Sequence, residues 1–320
     1  MKLLRLVPDG MNFGFVRFRR FSFPFSATLS VVIVALFLYH GLHLGIDFTG
    51  GTLIEVQAKS GKADVGAVRQ IAQGLNAGEV EVQEFGDKGG VSLRIPLQPG
   101  GDQAQNALVA KARGVLEKDY DFQRVETVGP RVSGELVQLG TLGVVLSILS
   151  VMIYLWLRFE MNFAVGAIIG TMHDIVLTMG FFVISRVEFN MTSIAAILTI
   201  VGYSLNETVV VFDRTRELLR RYKTMPVEEL LDLSVNSTMS RTAMTATTAA
   251  LSLLALVIFG GRTIEGFAIV MLTGVAICTY SAIFISSPVL IYLGIRAIDM
   301  REPTPAEPAG AAKVRAKPAA

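Results

Sequence analysis

The sequence predicts an α-helical integral membrane protein. It has six transmembrane helices and a small α+β domain of ferredoxin-like βαββαβ order, exported between helices 1 and 2. Three observations carry this reading. Hydrophobic residues make up 52% of the 320-residue chain and the mean hydropathy is +0.52, too apolar for an ordinary soluble domain. Six apolar runs of roughly 20 residues, the length that crosses a bilayer, lie along the chain. One long polar stretch, alternating between strand-like and helix-like periodicity, separates the first two runs.

Residues 1–23 form a basic cytoplasmic segment with Lys2, Arg5, Arg17, Arg19 and Arg20. The first span, 24–44, follows it as in a signal peptide. It runs longer and lacks an A-x-A cleavage site, so it reads as a retained anchor. Residues 45–131 make the exported domain. Its first strand is "GTLIEVQAK" and its first helix "KADVGAVRQIAQGL". "EVEVQEFG" and "VSLRIPL" alternate around the glycine turn "DKGG". "DQAQNALVAKARGVLEKDY" is a second amphipathic helix with Asp102 at its N-cap, and "DFQRVETVG" is the last strand. This domain holds no catalytic set, which favours a binding or mechanical role.

The remaining spans are placed at 136–157, 162–185, 192–212, 243–260 and 263–293. The loop 213–241 is charged and amphipathic and is expected to form short helices at the cytoplasmic surface. The tail 294–320, rich in Pro and Ala, is expected to be disordered. Orientation follows from Lys and Arg near the span ends. Arg214, Arg216, Arg220, Arg221 and Lys223 lie in the loop 213–241, and Arg296, Arg301, Lys313, Arg315 and Lys317 in the tail. The connections 186–190 and 261–262 carry one arginine each. Both termini are therefore expected in the cytoplasm and the domain 45–131 in the periplasm.

A single cysteine, Cys278, rules out an intrachain disulfide. No CxxC or His-rich cluster marks a metal site, and nothing marks nucleic acid as a partner. Without a nucleophile–base set, a P-loop or a dinucleotide fingerprint, a conventional enzyme is set aside.

Ionisable groups inside a bilayer mark functional sites by default. Glu207 stands out, in "VGYSLNETVVVFDRTRE". Asp213 and Arg214 mark the cytoplasmic end of its helix, which puts Glu207 about 9 Å deeper at ~1.5 Å per residue. Tyr203, Asn206, Glu207, Val210 and Asp213 share one helix face, expected to turn towards other helices. Glu207 is read as a proton-binding carboxylate; the alternative is a carboxyl that only ties helices together. Arg241 is the natural cation, with Thr245 and Thr248 on its face; the alternative is an arginine snorkelling to the interface. His173 and Asp174 sit mid-span as a relay or as a packing pair. Asp47, with Gly50 and Gly51 in "GIDFTGGT", reads as a joint between membrane and domain, or a hinge.

Several motifs together resemble the SecF family of bacterial protein export, within the RND superfamily. They are "GIDFTGGT", "VGPRVSGEL", "HD" at 173–174, "GYSLNETVVVFDRTRE", "SRT" at 240–242 and "FGGRTIEGFAI", in order along all but the tail. The resemblance implies the six-span half of an RND-type unit, completed by a similar six-span protein, SecD. It also implies work beside the SecYEG channel, often with YajC and YidC. It implies further that the proton gradient, with no cofactor, helps to pull unfolded preproteins out of the inner (plasma) membrane. The family's proton site falls on Glu207, Arg241 and Thr245. The chain departs at Glu207, where the family usually has Asp, and at Ser133, often glycine. Two readings from other classes stay open: an RND-type exporter of small molecules or lipids, and a passive scaffold of the translocase.

Overall fold

The computed structural model describes residue 8, residues 11–85 and residues 89–295. Most of the expected tail, the first half of the glycine turn and the start of the N-terminal segment lie outside the described residues. Six helical stretches are long and apolar enough to span a membrane. The first is α1 (Arg19–His40), entered through a 3-10 turn at Val16–Phe18. Four more are α5 (Pro130–Arg158), α6 (Met161–Ser185), α7 (Met191–Arg221) and α8 (Val227–Phe259). The last is α9 (Arg262–Ser281), continued by a π-helical stretch Ala282–Ser286 and α10 (Ser287–Tyr292).

The first helix begins and ends earlier than residues 24–44, because Pro24 is accommodated inside α1 and Gly41, at φ 64°, turns the chain away. The larger difference lies at 213–241. No separate surface helices form there. α7 and α8 run on beyond their apolar parts and are joined only by residues 222–226. Hydropathy stops where the charges begin, but helix propensity does not: "RTRELLRR" and "VEELLDL" are made of good helix formers. The extension is also held by tertiary contacts. Val16 N donates to Asp232 Oδ1 at 2.8 Å, and Asn236 brackets Phe13 through both its backbone N and O.

α6, α7 and the last span form the centre, with 44%, 56% and 56% of their most apolar windows buried. α1, α5 and α8 are peripheral, at 17%, 6% and 11%. The outer faces of α5 and α8 are therefore free to meet lipid or other helices.

Between α1 and α5 come α2 (Ile46–Thr49), β1 (Gly51–Ala58), α3 (Val65–Gly74), β2 (Glu81–Phe85), β3 (Gly90–Ile95), α4 (Gly101–Leu116) and β4 (Tyr120–Val128). The strands pair antiparallel in the order β2-β3-β1-β4, the ferredoxin-like arrangement. Alternation along the strands sends Ile54, Val56, Val91, Leu93 and Ile95 to one face, where they pack on Val68, Ala72, Leu108, Ala112 and Leu116 from α3 and α4. The other face carries Glu55, Glu81, Arg94, Arg124 and Glu126. Asp102 lies inside the first turn of α4 rather than at its N-cap, which is Gly100 at φ 123°. Asp64 caps α3 by accepting from Ala67 N at 3.0 Å.

Gly51 sits at φ 112°, and a Cβ there would run into the Ile95 carbonyl. Gly51→Ala is therefore expected to cost about 1–3 kcal/mol. Gly74→Ala, in a helix with open space around it, should be neutral or slightly stabilising. Thermal unfolding of the purified full chain in detergent distinguishes the two; equal melting temperatures would contradict the account.

Candidate functional site

α7 carries the site. Its start is secured from three directions. Asn190 and Ser193 form a reciprocal capping box, and Met191 N donates to Asp47 Oδ2 at 2.9 Å. Asp47 thus reaches out of its own loop to another element. It places a carboxylate at the positive end of a helix whose first residue is 144 positions away. The joint is tightened by a strand-like bridge: Gly45 N donates to Phe189 O at 2.8 Å, and Phe189 N to His43 O at 2.7 Å. Gly50 and Gly51 lead from α2 into β1 at positive φ, packed against Leu97 and Ile95.

Two acids lie in the interior. Asp174, on α6, is 1% exposed. Ser204 Oγ, on α7, donates to its Oδ2 at 2.5 Å, and His173 Nδ1 lies 3.2 Å from its Oδ1. Glu207, one turn after Ser204, is 2% exposed and accepts from Thr245 Oγ1 of α8 at 2.9 Å. Consecutive turns of α7 therefore bind an acid on one neighbour and offer an acid to another. Both carboxylates have hydroxyl partners, which lowers the cost of holding them in an apolar medium.

The Thr245 hydroxyl is placed for two states. It stands 3.1 Å from the Arg241 carbonyl and 3.0 Å from that of Thr242, as well as 2.9 Å from Glu207. A hydroxyl has one proton to donate. When Glu207 is ionised, that proton goes to the carboxylate. When Glu207 is protonated, the acid donates to Thr245 Oγ1 and the hydroxyl proton turns to a helix carbonyl. Both forms are satisfied without displacing an element.

The structure does not bring together all the residues expected at this site. Arg241 lies exposed on the outer side of α8 and, among the described residues, its guanidinium has no ion pair or hydrogen bond. Asn206 is likewise exposed. Ser204, Leu205, Glu207 and Thr208 are buried around it, so Asn206 falls on the one exposed strip of this turn. Thr248 is exposed and donates to the Met244 carbonyl at 2.9 Å.

Asp213 and Arg214 do not end the helix; α7 continues to Arg221. Asp213 takes part in a charged girdle at the end away from the domain. Arg158 Nη2 of α5 lies 2.8 Å from Asp213 Oδ2, and Arg216 pairs with Glu160 at 2.7 Å. Both guanidiniums lie over the Phe159 ring, at 5.0 and 5.7 Å. Burial pushes the Glu160 carboxyl up, but the hydrogen bond and charge of Arg216 outweigh it and hold it below the usual carboxylate range. Arg214 binds Glu217 at 2.6 Å and Ser237 at 3.0 Å. Arg158 and Glu160 went unnoticed in the sequence, where each reads as an ordinary charge at a span end.

Fold and site together define a multi-pass membrane transport protein with an aqueous domain seated on one side. Residues 108–296 match the family model "Protein export membrane protein SecD/SecF, C-terminal", and residues 40–62 match "SecD/SecF GG Motif". A Brucella abortus protein translocase subunit SecDF is 41% identical over 92% of this chain and 39% of its own length. A Rickettsia bellii protein translocase subunit SecF is 38% identical over 90% of this chain and 95% of its own length. The crystal structure of SecDF from Thermus thermophilus, titled a translocon-associated membrane protein, superposes with a TM-score of 0.79 at 28% identity. That match covers 88% of this chain and 38% of the other. The chain thus spans about two-fifths of the SecDF relatives and nearly all of the SecF ones. It belongs to the SecD/SecF family of protein export membrane proteins, and its place is that of a translocase subunit.

Removing the Asp47 carboxylate frees the first donor of α7. Asp47→Ala is expected to lower stability by about 1 kcal/mol, and Asp47→Asn, which keeps an acceptor, by less. Thermal unfolding in detergent reads both; an unchanged Asp47→Ala would show that the contact is dispensable.

Proposed function

We propose that the chain couples proton movement across the inner membrane to late steps of preprotein export, working as the SecF-type partner of a SecD-like chain. The observation that carries this reading is the buried Glu207–Thr245 pair, set one helix face away from the exposed Asn206 and Arg241. An arginine and an asparagine turned outward within a span call for a protein neighbour rather than lipid. SecD fits that place, and its carboxylate would neutralise Arg241. SecYEG, with YajC and YidC, is the expected wider assembly, and an unfolded preprotein the cargo.

The orientation that supports this places both termini in the cytoplasm and the domain in the periplasm. Arg158, Arg214, Arg216, Arg220 and Arg221 gather at the end of α5 and α7 away from the domain, as cytoplasmic loops do. A proton entering from the periplasmic side would bind Glu207, turn Thr245, and leave towards the cytoplasm. About 2.3 kcal/mol per charge is available at ~100 mV, comparable to a conformational bias of a few kcal/mol. His173 and Asp174 supply a second acceptor one α7 turn away, and the Asp47 joint carries the change to the domain.

An exporter of lipids or small molecules is favoured by one feature. An apolar cleft of about 440 Å³ opens between α5 and the α6–α7 pair, lined by residues such as Phe48, Val144, Ile148 and Leu198. Saturable binding of a lipid probe, lost on Val144→Trp, would support that reading instead.

The test is export of a preprotein into inverted membrane vesicles with and without a proton gradient. Glu207→Gln should reduce the rate to that seen without the gradient, and Glu207→Asp should retain most of the stimulation. Full stimulation in Glu207→Gln would reduce the chain to a scaffold.

A further inference from the structure

α1 meets α6 closely at only one level. Ile33 sits so tightly on Gly180 that a methyl group on the glycine would not fit. Away from the domain the helices part. The gap left between α1, α6 and the last span is an open groove of about 540 Å³, lined by Phe23, Ala27, Ser30, Ile169, Ile285 and Val289 among others. Ser26 also borders it, but its hydroxyl is taken by the Tyr280 hydroxyl at 3.0 Å. His173 reaches its wall with Nδ1 turned to Asp174 and Nε2 buried. The groove is therefore apolar along most of its length, and it ends where Ile33 meets Gly180.

Its other end is basic. Phe23 and Tyr292 stack there at 5.3 Å. Phe21 and Tyr292, 70% and 64% exposed, mark the level at which hydrocarbon gives way to headgroups. Arg19 and Arg20 precede Phe23 by one turn. At about 100° per residue they fall on either side of it. Arg19 is committed to Glu228. Arg20 is exposed and, among the described residues, makes no hydrogen bond or ion pair. Arg17, Arg19 and Arg20 stand here against Glu228 and Asp232, three cations to two carboxylates. From Arg20 to Ser30 the helix rises about 15 Å, half of a hydrocarbon core ~30 Å thick.

We propose that the groove holds one phospholipid with an anionic headgroup, drawn from the leaflet at the end away from the domain. An acyl chain lies between α1 and the last span, with its tip towards Ile33, and the phosphate stands at Arg20. Depth decides between occupants. A partner's transmembrane helix crosses the whole bilayer and is about 10 Å across, so it would have to pass the level where α1 and α6 are closed. A lipid chain stops halfway, as the groove does. Charge decides which lipid. The chain moves from one hydrocarbon setting to another, so its burial selects little. The basic mouth favours a headgroup with a net negative charge. The lipid is a resident wedge that supports the splayed α1. It is distinct from any cargo in the cleft beside α5, and it asks nothing of proton coupling at Glu207.

The test titrates the full chain, purified in detergent and stripped of lipid, with phosphatidylglycerol or with phosphatidylcholine of the same acyl chains. Native mass spectrometry counts the lipids retained, and thermal unfolding reads their effect. The wild type should retain one phosphatidylglycerol and melt at a higher temperature with it. It should hold phosphatidylcholine about fivefold or more less tightly. Arg20→Gln should remove most of that preference. Ala27→Trp and Ile169→Trp fill the groove from opposite walls, and each should lose the retained lipid while melting like the lipid-free wild type. Equal retention of the two lipids by the wild type would overturn the proposal. So would an unchanged preference in Arg20→Gln, or full retention of phosphatidylglycerol in whichever tryptophan variants fold.

Discussion

Two carboxyl groups held in hydrocarbon set the terms for the membrane half. Asp174 and Glu207 each need partners that stay in place, because an unpaired charge at that depth costs at least a few kcal/mol. Their partners, Ser204 and Thr245, lie on α7 and α8, so α6, α7 and α8 must cross closely at the level of the acids. α6, α7 and the last span crowd into the centre, and α8 meets Glu207 from the periphery through Thr245. Close approach is permitted by small residues: Gly170 of α6 lies against Ser286, in the π-helical stretch of the last span, where a methyl group would not fit.

The aqueous domain answers to a different constraint. Its sheet has one apolar face, which α3 and α4 cover, and it is complete without the membrane. What fixes it in place is the one-residue link from β4 to α5, the stacking of Phe48 on Phe189, and a set of hydrogen bonds and charges gathered within a few residues of Asp47, His43 and Arg94. Such bonds are directional and individually modest. A seam made of them fixes the orientation of the domain through direction rather than through buried area.

Much of this was legible in the sequence. The six spans and the order of the domain follow from hydropathy and periodicity, and Glu207 was recognisable as an acid too deep to be incidental. The contact between Glu207 and Thr245 was approachable because each lies on a marked helix face. Periodicity, however, states which residues share a face and not where that face points. Asn206 was expected inside and stands outside for this reason, and Arg241, read either as an inner cation or as an arginine snorkelling outward, stands outside too. The reach of α7 and α8 beyond the bilayer was hidden because hydropathy ends with the apolar run. The bond from Asp47 to Met191 was hidden because it joins positions far apart in the chain. Arg158 and Glu160 were missed since only the fold gathers them around Phe159.

α7 has 31 residues, so at ~1.5 Å each it is a rod of roughly 46 Å. One end is pinned by Asp47 and the capping box, the other by the girdle of Arg158, Glu160, Asp213 and Arg216. Sliding the rod along its axis would break both anchors at once. Tilting it about its middle would displace both anchors in opposite directions. Glu207 lies near that middle, roughly 20 Å from either end of the rod. The rod that carries the acid is thus fixed where it meets water, and the freedom left at its centre is that of side-chain rotation.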